Sequence, residues 1–416
     1  MSAAIAVPGP REAPTKDQQM DSAHTWSFHS KQRRANDAVR ELLRELLNAG
    51  AVSAAVCPTD VGDGAVFPCL AAGARDLDLA QPLAPVMPVN TAGQLAHIGL
   101  GDAQRGPIAV LLRPCEERAF VELAKLRQFS PEHFLVLGLD CAGVYALDDY
   151  RERVANDEDT IAAYEQSAAG GMTLPNSREA CRICTRFVPR AADVAIWSLG
   201  SADVSELPLS ALSRRGADAL QQVPEVVGTS DSNGAPPHAT QAHEAVLAER
   251  ESAREQALSD LRGEAQGPRG LLRVFAKCLG CHGCRSVCPI CCCNQCFFES
   301  REIALGPENS LRRADARGTL SMPADRLLFH LGRMSHMAFA CVGCGACEQA
   351  CPVDIPVARV FQLAQAELER ELGYLPGESL EGKSLLAAGE PDELAEFERP
   401  YGRLSAEPAA VGETDR

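Results

Sequence analysis

Apolar positions fall into two regimes along the chain. Up to about residue 227 they form short runs and helical stripes; beyond residue 267 they thin out and cysteine takes over. Val39, Leu42, Leu43, Leu46 and Leu47 recur at helical spacing and predict an amphipathic helix over Ala35–Asn48. Ala51–Val56 reads as a strand. Pro107–Leu112 (PIAVLL) and Phe134–Leu139 (FLVLGL) are short apolar runs of the kind buried on both faces of a sheet, and Glu116–Arg127 between them has helical period. Asp193–Leu199 (DVAIWSL) predicts one more strand. Strand, helix, strand is the pattern of a parallel α/β unit, so the expected class of residues 31–227 is α/β.

The remaining segments are set by composition. Residues 1–30 are rich in Ala, Pro and charge and are expected to be disordered. Residues 228–266 are expected to be a linker, from Gly228 to Ala239, followed by a charged surface arm, His243–Glu264. A cysteine-rich module follows at 267–372, and an acidic tail with Pro and Gly at 373–416.

A length of 416 residues accommodates two or three domains. The net charge of −16 and an aromatic content of 5% argue against a nucleic-acid partner, which needs a basic face or a stacking platform. No apolar run reaches the roughly 18 residues a membrane span requires. The first twenty residues are polar and Pro-rich and do not read as a secretion signal. A cytoplasmic, thiol-reducing location is therefore expected for the 18 cysteines, which points to metal ligation rather than disulfides.

Two segments decide the chemistry. Cys278, Cys281, Cys284 and Cys288 precede Pro289, and Cys341, Cys344, Cys347 and Cys351 precede Pro352, both with the spacing of bacterial ferredoxins. Three thiolates at intervals of three wrap one face of a cubane, and the fourth reaches the neighbouring one. Cluster A is thus expected on Cys278, Cys281, Cys284 and Cys351, and cluster B on Cys341, Cys344, Cys347 and Cys288. Gly280, Gly283, Gly343 and Gly345 allow close backbone approach. The expected fold of residues 267–372 is an α+β dicluster ferredoxin-like domain carrying two [4Fe–4S] clusters. Zinc sites use paired Cys-x2-Cys knuckles instead. Cys291, Cys292, Cys293 and Cys296 either ligate a further centre, offer alternative ligands to A or B, or are plain thiols. His330 and His336 are expected to pack or cap.

Cys115 and Cys141 follow two predicted strands, where α/β sheets place their sites, and Cys181 and Cys184 form a lone Cys-x2-Cys pair. From spacing alone the four either converge on one cluster or are unrelated buried thiols.

In the first domain LRPCEERAFVELAKL (112–126), LGLDCAGVY (137–145) and CRICTRFVPRAADVAIWSLGS (181–201) resemble the beta subunit of coenzyme F420 hydrogenases and dehydrogenases. CLGCHGCRSVCPICCCNQCFFES (278–300) and residues 329–361 resemble the versions of that subunit with a built-in dicluster ferredoxin. The resemblance implies FAD and a third [4Fe–4S] cluster on Cys115, Cys141, Cys181 and Cys184. Arg113, Gly200 and Ser201 would contact the flavin. It implies a path from flavin to the N-terminal cluster and then to A and B. The partner would be a catalytic chain, either a molybdopterin formate dehydrogenase alpha chain or a hydrogenase large subunit, with F420 or NAD(P) as hydride carrier.

The chain departs from the family in two places. Trp197-Ser198 stands where such subunits often have Gly-Ser, and the indole would narrow the flavin pocket. Arg113-Pro114-Cys115 replaces Gly-Thr-Pro-Cys, which bears on F420 specificity. No Gly-x-Gly-x-x-Gly fingerprint supports a Rossmann nicotinamide site. The competing expectations are a flavin-free relay joining two redox partners, as in a heterodisulfide-reductase-like complex, and a zinc-bound interaction module.

Overall fold

The computed structural model describes residues 25–98, 106–201, 206–230, 235–293, 296–299, 307–318 and 325–385. The first domain is built on an eight-stranded mixed sheet. Its strands are β1 (Thr25–His29), β2 (Ala54–Asp60), β3 (Val66–Ala71), β4 (Ile108–Leu112), β5 (Phe134–Leu139), β6 (Val194–Ile196), β7 (Glu206–Ala211) and β8 (Val226–Ser230). In space they run β3-β2-β4-β5-β6-β7-β1-β8. The middle four, β2, β4, β5 and β6, are parallel; the flanking strands are antiparallel.

The helices that matter here are α1 (Ala35–Asn48), α2 (Pro114–Lys125), α3 (Pro237–Glu264), α4 (Gly267–Val274), α5 (Asp325–Met337) and α6 (Val357–Leu372). Every residue of β4 and β5 is buried, because the sheet is covered on both faces. One face carries α1, through Val39, Leu42, Leu43 and Leu46. The other carries α2, and its core runs on without a break into the cysteine-rich module: Phe120, Phe134 and Val136 cluster with Phe275, Phe329, Val342 and Phe361.

Several expected boundaries move, each for a local reason. The first strand after α1 begins at Ala54, not Ala51. Gly50 at φ +73° and the Ala51 amide bonding back to the Leu46 carbonyl extend the helix cap through those residues. The strand expected over Asp193–Leu199 shrinks to Val194–Ile196. Its flanks are claimed by side chains: Asp193 accepts from the Val136 amide, and Asp140 accepts from the Ser198 and Leu199 amides. α2 starts at Pro114, so Cys115 lies in its first turn rather than in a loop.

Of the segment 1–30 expected to be disordered, residues 1–24 lie outside the described residues, and Thr25–His29 is a strand instead. β1 pairs with β7 on one side and β8 on the other, with Phe28 fully buried. β8 likewise carries the sheet past the expected boundary, to Ser230 inside the expected linker. The charged arm is a 28-residue strut, not a surface appendage. Near its start Ala242 and Val246 enter the first core, and near its end Leu261 enters the second. Arg254 and Arg262 tie it to Gln362 and Glu367 of α6.

Among the described residues the module at 267–372 contains helices and loops and no strand, which corrects the expected α+β character. Gly, Pro and ligand-spaced Cys leave its loops no ladder to form, and α5 and α6 supply the packing. The start of the acidic tail folds back on α2. The Tyr374 hydroxyl donates to the Glu122 carboxylate at 2.8 Å, the Gly377 amide does so at 2.8 Å, and Glu378 pairs with Arg186 and Arg190.

Candidate functional site

The two cysteine runs interleave. One cavity is lined by Cys278, Cys281, Cys284 and Cys351; a second is lined by Cys341, Cys344, Cys347 and Cys288. Each therefore takes three thiols from one run and the fourth from the other. Gly280 and Gly343 sit at corresponding turns with φ near +70° (+69° and +66°), a conformation that suits glycine. His282 holds φ +58° where the second run has Gly345, and its ring stacks on Phe329 at 4.2 Å. His330 stacks on Phe275 at 4.0 Å with Nε2 3.4 Å from Cys278 Sγ. His336 lies 6.4 Å from the Phe298 ring, outside both cavities.

Donor chemistry and space agree with cubanes: four soft sulfurs around an internal void, twice. No three Cys, His, Asp or Glu side chains among the described residues converge on a single-ion position. Such spread-out sulfurs suit a cubane better than one zinc ion.

Cys291 stands behind the second cavity. Its Sγ is 3.3 Å from Met337 Sδ, which is 3.7 Å from Cys288 Sγ. A hydrogen bond between the Cys288 and Cys291 thiols raises Cys288 and lowers Cys291. Cys293 is exposed, and Cys292 and Cys296 are half-buried.

The N-terminal thiols gather where α2, the loop after β5 and residues 178–184 meet. Cys115 and Cys181 pack with Met87, Val144, Ala346 and Cys344 in one small apolar cluster. Burial first, and the nearby Cys181 with it, raises the Cys141 thiol to about 11. Burial also raises Cys115. Cys184 goes the other way: burial opposes its ionisation, but Arg118 and Arg250 outweigh it and hold the thiol below its ordinary value. These thiols abut the Cys344 turn, so the N-terminal set neighbours the second-run cavity. The spatial order is N-terminal thiols, cluster B cavity, cluster A cavity, which reverses the expected order of the last two.

Beside this junction opens a cleft of about 690 Å³, within the range of small-molecule sites. Cys184 and Cys341 are both in its wall, together with Phe187, His243 and five arginines at positions 118, 186, 190, 254 and 370. The cations crowd one another. Burial and the nearby Arg118 pull Arg186 down to about 10, and burial also lowers Arg254. His243 is held by Asp140, its Nε2 3.0 Å from Oδ2, and by edge contact with Phe187 at 5.9 Å. Burial holds Glu117 above the usual carboxylate range, although the Arg190 and Ala191 amides donate to it, and its Oε2 has no partner.

Arg113, Gly200 and Ser201 do not line the cleft. Arg113 is buried and donates to the Ala84 carbonyl at 2.5 Å. Gly200, at φ +76°, lies against the His238 carbonyl of α3. Trp197 does not narrow the cleft either; its indole donates to Ser210 at 2.8 Å and backs onto His243 at 5.6 Å. Arg118, Arg178, Arg250, Arg333 and His243 were not legible as site residues. Arginine is common in this sequence, and nothing in its spacing separates these four from surface cations.

Residues 106–225, which hold all four N-terminal thiols, match the family model for the C terminus of the coenzyme F420 hydrogenase/dehydrogenase beta subunit. The chain carries a domain of the F420 hydrogenase/dehydrogenase beta-subunit family. Residues 274–355, which hold both cysteine runs, match the model "4Fe-4S dicluster domain". Two curated relatives are similar over about two thirds of the chain. The F420-dependent formate dehydrogenase subunit beta of Methanocaldococcus jannaschii is 28% identical over 65% of this chain and 73% of its own. The F420-dependent formate dehydrogenase 1 subunit beta of Methanococcus maripaludis is 28% identical over 66% and 74%. A chain from the F420-reducing [NiFe] hydrogenase complex of Methanosarcina barkeri aligns over 60% of this chain and 94% of its own, at 13% identity and TM-score 0.44. No helix of the beta-subunit domain or the dicluster domain, among the described residues, is long and apolar enough to cross a membrane.

Proposed function

We propose that this chain is the electron-transfer beta subunit of an F420-linked formate dehydrogenase or a related complex. Cys115, Cys141, Cys181 and Cys184 would hold one cubane, the two cavities would hold two more, and the cleft would hold FAD. A flavin supplies conversion between a two-electron hydride and single electrons, and cubanes supply a one-electron path. Formate or hydrogen chemistry would belong to another chain, since the described residues hold no constellation suited to it.

The observation that carries this reading is the cleft itself. Its wall includes one thiol of the N-terminal set and one of cluster B, so a cofactor seated there would border the relay at two points. Arginines lowered by burial and mutual repulsion favour an anion, and a dinucleotide's diphosphate is one. Phe187 and His243 add aromatic wall to the cleft. In the chain's own terms, Asp140 fixes His243, α3 closes the cleft from one side, and the tail residue Glu378 restrains Arg186 and Arg190 without filling the space. The flavin-free alternative rested on Trp197 obstructing the flavin, and Trp197 lies outside the cleft.

The test is anaerobic mixing of the purified chain with reduced F420, followed by absorbance. Bleaching of flavin and cluster bands is expected. A protein loaded with FAD and iron that reduced F420 leaves unbleached would overturn the F420 assignment.

A further inference from the structure

Among the described residues five arginines are buried, and one of them, Arg113, pairs with a carboxylate, Glu116. The other four lack such a partner. Arg118, Arg178, Arg250 and Arg333 are 6%, 9%, 1% and 3% exposed, and among the described residues none makes an ion pair. Burying a charge without a counter-charge is costly, and an anion beside it would offset that cost.

All four sit at the cysteines. Arg250 donates to the carbonyls of Cys141, Ala142 and Cys184, at 3.2, 2.8 and 3.4 Å. Arg178 donates to the Cys344 carbonyl at 2.5 Å and also approaches Met87 Sδ, which touches Cys115. Arg118 spans the Arg186 and Val342 carbonyls, next to Cys341. Arg333 donates to Cys284 Sγ at 3.2 Å and the Cys284 carbonyl at 3.2 Å, and reaches toward Met337, which contacts Cys288. The Nε groups of Arg118, Arg178 and Arg333 have no hydrogen-bond partner.

We propose that these four guanidiniums are the built-in counter-charges of the three clusters and raise their reduction potentials. Arg250 serves the N-terminal set, Arg118 and Arg178 its junction with cluster B, and Arg333 the junction between B and A. This rests on the cluster reading above. A cubane with four thiolate ligands is already anionic, and the electron it accepts from its neighbour adds one more negative charge; a fixed cation favours that reduced form. Placing a cation between clusters, rather than beside one, lowers the cost of an electron at both ends of a hop.

The test uses the full chain, purified anaerobically, as wild type, Arg333→Gln, Arg333→Lys and Arg178→Gln. Iron and sulfide are counted first: a wild type short of three clusters defeats the cluster reading and is recognised before any potential is measured. EPR-monitored redox titration follows. Arg333→Gln is expected to shift the A and B midpoints to more negative values and leave the N-terminal cluster in place. Arg178→Gln is expected to shift the N-terminal and B midpoints and spare A. Arg333→Lys is expected to stay near wild type. Glutamine variants with full iron and unmoved midpoints overturn the proposal. If Arg333→Gln loses iron while Arg333→Lys keeps it, charge is again what is needed; if both lose iron alike, shape rather than charge is supplied and the proposal falls.

Discussion

Gly345 of the second cysteine run lies against Ala180: a Cβ on Gly345 would come 2.4 Å from the Ala180 Cβ. Its φ of +76° is also one that side chains rarely adopt. The two domains thus meet at a point where only hydrogen fits, one residue from Cys344 and one from Cys181. Gly345→Ala combines left-handed strain with overpacking and is expected to cost about 2–5 kcal/mol. The thermal midpoint should fall accordingly. His282→Ala, at the corresponding turn of the first run, already has a Cβ at φ +58° and loses mainly its stack on Phe329, so its fall should be smaller.

The tail is expected to be part of the fold. Glu122 is fully buried and takes hydrogen bonds from Tyr374 and the Gly377 amide. Tyr374→Phe removes one donor from a buried carboxylate and should cost about 1–3 kcal/mol in urea unfolding. An unchanged midpoint would mean that the tail is not seated on α2.

Cys57 gives a pH signature free of the cluster thiols. It faces Cys69 across β2 and β3, and burial raises its thiol from 9.0 to about 12. Below about pH 9 both folded and unfolded chains hold the proton, and this group contributes no pH dependence. Between about 9 and 12 the unfolded chain ionises and the folded one does not, so stability falls as pH rises. Urea midpoints across that window should decline less in Cys57→Ala, and an alkylating reagent at about pH 8 should leave Cys57 unmodified until the protein unfolds.

Cys184 is the N-terminal thiol whose surroundings favour the thiolate. Cys184→Ser is expected to lose the N-terminal cluster and take iron from roughly 12 to roughly 8 per chain, with A and B retained. Retention of all the iron would remove Cys184 from the ligand set.

The chemistry was more legible in the sequence than its setting. Spacing and a terminal Pro were enough to mark both ferredoxin runs, because metal geometry dictates them locally. The helix over Ala35–Asn48 and the strand Phe134–Leu139 were also local, each written in its own periodicity. What escaped was set by tertiary contact. β1 is five residues long and is a strand because β7 and β8 flank it. α3 is charged all round, and its buried positions depend on two separate cores. Arg113 stands where the chain departs from the family motif and Gly200 and Ser201 close a matching segment, but none lines the cleft: Arg113 donates to the Ala84 carbonyl, the Gly200 amide to Ala168 and the Ser201 amide to Ser198. The cleft's arginines come from distant segments that no local pattern connects.

The most direct test of the central claim is a count of iron, acid-labile sulfide and flavin in the anaerobically purified chain. Roughly 12 irons, an equal amount of sulfide, and one FAD released by acid or heat are expected. Full iron without flavin, or zinc in place of iron and sulfide, would contradict it.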